Sequence, residues 1–220
     1  MESVAEAKRM IYTEIATADP EVIASFLRRY DNQAAEFAEL MAQTMIAWHE
    51  LAHMVEKHEK VVFVANIAYC AIVLHIQSMK LFLSGHIVAA GNLSRQVLES
   101  IAMALLCSGK TLNVLDRFVS DTYSTKNAVR DVQRQSKVLG LRKETLATLA
   151  KAEDFYHVFS HLSKMTVGAA TSFSQQTLYV GASFDEAKTQ AYDSEVKNRL
   201  GLAKVFPNFI ATVLRNVSKW

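Results

Sequence analysis

The sequence predicts an all-α fold: one helical domain over residues 1–220, built as a bundle of about seven or eight helices. Three observations lead there. Chain breakers are scarce, with two prolines and seven glycines in 220 residues. Ala, Leu, Met, Glu and Lys are abundant, and these side chains lose little rotamer freedom in a helix. Apolar residues recur at three- and four-residue spacing along most of the chain. Half the residues are apolar and 21% are charged, with a net charge of +2, which places the chain among globular proteins. No repeat, low-complexity tract or linker divides it.

A first helix is expected over 2–17. Asp19-Pro20 then supplies an N-cap followed by proline at the first helical position, opening a second. A third is expected over 31–58, with a core stripe of Phe37, Met41, Thr44, Trp48, Leu51 and Val55. Two apolar helices follow, about 60–83 and 86–108, separated near Ser84-Gly85. Because they are apolar on all sides, burial on all sides is expected and both are placed at the centre. Thr111 caps a helix expected to run to about Lys137 and to end near Gly140. A shorter one spans 143–163, with a break near Glu153. Residues 167–184 carry no charged side chain and are rich in Ser, Thr, Tyr, Val and Phe, which suggests an irregular segment or small hairpin. Ser183 or Asp185 caps a last helix, kinked or broken at Pro207.

Residues 61–79 carry no formal charge and are long enough to span a bilayer. Asn66, His75 and Gln77 interrupt them, and Arg95 and Glu99 interrupt the next apolar segment, so a soluble bundle with no membrane partner is expected. The N-terminal stretch mixes charged and apolar residues without a signal-peptide core. Cys70 and Cys107 both sit in apolar segments and read as buried free thiols, which suits a reducing, cytoplasmic setting.

Residues 49–53 read HELAH. On a helix, His49 and His53 share a face and could ligate one zinc ion, with Glu50 as general base on the metal-bound water. A third ligand is needed. Glu56 and Glu59 stand where the extended motif has glycine and histidine, and His58 is one position early, about 100° round the helix. The wheel also turns His49 and His53 about 100° and 140° from the core stripe centred on Trp48, onto a face shared with Glu39, Gln43 and Lys57. A zinc-dependent hydrolase is therefore the alternative reading. The leading expectation is that no cofactor is bound.

Two other constellations stand out. Arg95 and Glu99 are the sole charges between His86 and Lys110, and their i, i+4 spacing permits an ion pair. In a helix apolar all round, that pair should be at least partly desolvated, as a registry element or part of a site. In EDFYHVFSHLSK, His157 and His161 again stand four apart, with Tyr156 and Ser160 beside them. Such a set could serve as metal ligands or acid–base groups, which makes His161 a candidate catalytic residue. A polar core cluster of Arg95, Glu99, Tyr156, His157, Ser160 and His161 is the resulting expectation. Separately, Lys126, Arg130, Arg134 and Lys137 recur at four, four and three, a stripe that could track phosphates. No aromatic residue is interleaved to stack on bases.

The Arg-x-x-x-Glu pair in an apolar helix, followed some sixty residues later by Tyr156, Ser160 and His161, resembles a group of uncharacterised prokaryotic all-helical proteins. More distantly, residues 60–215 resemble the HEPN superfamily of toxin–antitoxin and phage-defence systems. The resemblance implies a helical bundle, often a homodimer, with a polar cluster in its interior or dimer cleft. HEPN ribonucleases carry an arginine followed after four to six residues by a histidine, and no arginine here is so followed. The expected function is thus protein or RNA contact, HEPN-like without the ribonuclease motif and associated with stress or defence.

Overall fold

The computed structural model describes residues 3–55, 59–160 and 182–220. The architecture is all-α, and no strand occurs among the described residues. Of the hairpin expected near 167–184, residues 167–181 lie outside the described residues, as does His161; residues 182–185 are irregular.

Helix α1 (Val4–Ala16) begins at Ser3, whose hydroxyl accepts a hydrogen bond from the Glu6 amide at 3.2 Å. In α2 (Pro20–Val55), Asp19 Oδ1 accepts from the Glu21 and Val22 amides at 2.9 and 3.3 Å, satisfying two of the donors that a helix start leaves open. The boundary expected at residue 31 appears as a kink: Tyr30 leaves helical geometry at φ −117°, ψ 15°. Beyond it, Phe37, Met41, Thr44 and Leu51 are buried, and Trp48 packs against them with its Nε1 donating to the Ala65 carbonyl at 3.0 Å.

Helices α3 (Glu59–Leu83) and α4 (Ile87–Ser108) form an antiparallel hairpin turned at Gly85. Gly85 has φ +79°, and a Cβ there would lie 2.8 Å from the Ala182 side chain, so the turn requires glycine on both counts. Burial on all sides holds for the second half of α4, where every residue from Ile101 to Ser108 is buried, but Ala89 and Gln96 in its first half are exposed. It does not hold for α3. That helix packs between α2 and α4, yet Phe63, Tyr69, Val73 and Ile76 on its outer side are each about 40% exposed. All-round apolar composition states how much surface a helix could bury, not how much its neighbours cover. Cys70 shares this outer side and is exposed, contrary to expectation, whereas Cys107 on α4 is buried and its thiol is pushed up to about 12 by desolvation.

The single helix expected over 111–137 is instead a series of short ones. A 3-10 turn (Lys110–Leu112) leads to α5 (Val114–Val119), another turn (Thr125–Asn127) to α6 (Ala128–Arg134), and then comes α7 (Ser136–Leu139). Asn113 (φ 51°) and Asp121 (φ 56°) take the left-handed conformation, which short polar side chains tolerate. Ser120 and Thr122 complete the stop by donating their hydroxyls to the Asp116 and Arg117 carbonyls at 2.8 and 3.0 Å.

Helix α8 (Lys143–Tyr156) passes into a 3-10 turn (His157–Ser160), close to the expected break. Asp185 caps a 3-10 turn that opens α9 (Thr189–Ala203), and α10 (Phe206–Val217) carries Pro207 in its first turn, where proline removes no helical hydrogen bond. Beyond the end of α10, Trp220 Nε1 donates to the Ser108 carbonyl at 3.1 Å, while Asn216 Nδ2 donates to Ser108 Oγ at 3.1 Å. Arg215 Nη2 donates to the Leu139 and Gly140 carbonyls at 3.2 and 2.9 Å. The C-terminal ends of α4 and α7 are thus closed by side chains from the last stretch of the chain.

Candidate functional site

Helix α4 projects Arg95, Leu98 and Glu99 toward the loop before α6 and toward the end of α8. Lys126, Asn127, Arg130, Glu153 and His157 meet them there, lining a pocket of about 190 Å³. A second recess of about 530 Å³ adjoins it, sharing Arg130, Glu153 and His157 and adding Asp154. The Arg95–Glu99 pair is formed, with Nη2 2.9 Å from Oε1, but the side chains are 41% and 30% exposed. The core position expected for it is therefore wrong. The short helices around α6 leave that side of α4 open to solvent there. The groove joins residues that the sequence reading kept apart, Arg95 and Glu99 with Lys126 and Arg130. Three cations face three carboxylates along it, so it is of mixed charge.

The rest of the expected polar core cluster also separates. His157 is exposed on the groove, while Tyr156 points the other way and is fully buried. Ser160 closes the 3-10 turn, and His161 lies outside the described residues. The expected cationic stripe is split by the breaks before and after α6. Lys126, Arg130, Arg134 and Lys137 are all exposed, and Arg134 is held by Asp131 at 3.3 Å.

The interior charge that the sequence reading missed is on α9. Arg199 is fully buried beside Glu195, its guanidinium donating to the Glu195 carboxylate and, at 3.3 Å, to the Glu195 carbonyl. The guanidinium lies over the rings of Phe82 and Tyr156, 5.0 and 5.7 Å from their centres. Its Nε and Nη2 make no hydrogen bond among the described residues. His75 of α3, also fully buried, donates from Nε2 to the Arg199 carbonyl at 3.2 Å and stacks on Phe206 at 5.1 Å. Desolvation, reinforced by the Arg199 charge, lowers His75 to about 3, so the ring is neutral at physiological pH. Burial also pushes the Tyr156 phenol up to about 12. Sealed from solvent, this cluster ties α9 to α3 and α8 rather than meeting a ligand. A signal for it was present in TQAYDSEVKNRLGLA. Tyr192, Val196, Arg199 and Ala203 recur at four, three and four, which sets an arginine on an apolar stripe.

His49, Glu50 and His53 are exposed on α2, and the His49 ring lies against Trp48, 5.3 Å between centres. Among the described residues, no group of three His, Cys, Asp or Glu side chains could hold a metal ion; Glu56 and His58 lie outside them.

Neither a protein-family model, nor a curated protein, nor a solved structure matches this chain.

Proposed function

We propose that the chain is a helical contact module, HEPN-like without a ribonuclease motif, whose working surface engages proteins and, first among them, a second copy of itself. The observation that carries this reading is the outer row of α3. Tyr69, Val73 and Ile76 share one helix face with exposed Asn66 and Gln77, and Phe63 stands about 80–140° round from them beside Phe118; the four apolar side chains are each about 40% exposed, with Ile46 of α2 at 65%. No formal charge interrupts α3 between Lys60 and Lys80, so two copies can cross there without burying an unpaired charge. Exposed apolar rows of this kind mark contact surfaces.

Helix α3 also has the length and composition to cross a membrane, but 44% of its apolar window is buried against the rest of the fold. The exposed remainder is taken as the face of a cytoplasmic homodimer. Sedimentation velocity tests the reading. The wild type should sediment as a dimer at tens of micromolar, and Val73→Glu and Ile76→Lys should be monomers with unchanged helicity. A monomeric wild type would end the proposal.

RNA is the second partner class, supported by the exposed cations Lys126, Arg130, Arg134 and Lys137 and opposed by Glu99, Glu153 and Asp154 in the adjoining groove. RNA binding that weakens steeply with salt and is lost on charge reversal at Arg130 and Arg134 would establish it.

A further inference from the structure

On a different side of the molecule, the α2 kink, α8 and α9 line a half-open groove of about 700 Å³, within the size range of small-molecule sites. Arg29, Lys151, Lys197 and Lys204 line it, with Asp193 as the acidic residue among them. Two of these cations are already engaged. Arg29 Nη2 donates to both Asp193 oxygens at 3.3 and 3.1 Å, and Tyr30 donates its hydroxyl to Asp193 Oδ1 at 2.8 Å. Lys204 pairs with Glu36 at 2.8 Å. Lys151 and Lys197 form no ion pair among the described residues. Among the described residues the pocket therefore presents two uncompensated positive charges, while Val196 and Leu200, both buried, form part of its apolar floor.

Gly201 is an independent observation. It sits inside α9 and lines the same pocket, yet nothing lies within 4 Å of where its Cβ would be, and its φ is not positive. Neither packing nor backbone conformation calls for glycine there, and glycine weakens a helix interior. Without a side chain at position 201, the groove stays open along that part of α9.

We propose that this pocket binds a small phosphorylated molecule, with Lys151 and Lys197 on the phosphoryl dianion and the organic part against Gly201, Val196 and Leu200. A phosphate monoester carries nearly two negative charges at neutral pH, matching the two ammonium groups that form no ion pair among the described residues, and lysine serves phosphate as a mobile point charge.

Titrating the 15N-labelled full chain with inorganic phosphate at constant ionic strength tests this, because the glycine amide resonances report on Gly201 directly. The Gly201 and Lys197 amides should shift saturably. The Lys151→Ala/Lys197→Ala double variant should bind at least tenfold more weakly. Gly201→Leu should abolish the shifts while keeping its helicity, and Gly201→Ala, which guards against misfolding as the explanation, should melt above the wild type. Shifts that do not saturate, or that persist in the double variant, would overturn the proposal. So would a 5′-phosphorylated RNA that binds this pocket more tightly than phosphate and AMP do, which would move the site to nucleic-acid ends.

Discussion

Acid should destabilise this protein through one side chain, His75. In the folded chain the imidazole is sealed between Phe37 and Phe206, with Arg199 as the charged group beside it, and it takes up a proton only near pH 3. In the unfolded chain it titrates near its ordinary value of about 6.5. Between those values the unfolded state binds the extra proton, so stability is fully present above about pH 7 and falls as the pH drops. At pH 5 the loss is about 1.5 pH units times 1.36 kcal/mol, or roughly 2 kcal/mol. For a chain of this size, that lowers the Tm by about 4–8 °C. Asp193, held below its usual range by Arg29 and Tyr30, loses its contribution only at lower pH and does not enter this window. His75→Gln keeps an amide donor for the Arg199 carbonyl and removes the titration. Circular-dichroism melts of both proteins at pH 7, 6 and 5 give the comparison. The variant should start lower and lose much less between pH 7 and 5. Equal losses in the two proteins would refute the burial argument.

Glu195→Ala should cost about 3–5 kcal/mol, because it leaves the Arg199 charge buried and unpaired, whereas Glu195→Leu with Arg199→Met should recover most of that loss in denaturant melts. Glu99→Ala, by contrast, should cost less than about 1 kcal/mol, since the Arg95 pair is partly solvated. Gly91→Ala would place a Cβ 2.5 Å from the Phe159 ring and should destabilise by about 1–3 kcal/mol in the same assay. Gly201→Ala meets no neighbour and should stabilise by about 0.5–1 kcal/mol.

The helical class, the Asp19-Pro20 start, the boundary near residue 30 and the turn at Gly85 were all legible in the sequence, because each is set by local chemistry of caps, breakers and periodicity. The fate of Arg95 and Arg199 was not. Arg95 lies in an apolar helix yet faces solvent, while Arg199 lies in a helix of mostly polar composition yet is enclosed. Which side of a helix is covered depends on what folds back over it, and composition is blind to that. The same blindness misplaced the outer row of α3 and Cys70. Asn113 and Asp121 broke a helix that periodicity drew through them, since left-handed turns at single polar residues leave little trace in an apolar pattern. The pocket of about 700 Å³ draws Arg29 from α2, Lys151 from α8, and Lys197 and Lys204 from α9 and its C-terminal cap, and no spacing rule connects them.

The closure of α4 by Trp220 and Asn216 has a consequence for how the protein is made. Helix α4 is the most deeply enclosed element, yet Ser108 at its end takes its partners from residues 108 and 112 positions later. During synthesis, the central helix therefore emerges with that end unfinished and its apolar sides uncovered, and Asn216 and Trp220 follow only 108 and 112 residues later. Contacts this distant in sequence form late, because the intervening loop must close first. Until then the half-made chain exposes the strip that the finished bundle hides best, and α4 is where association between unfinished chains would begin.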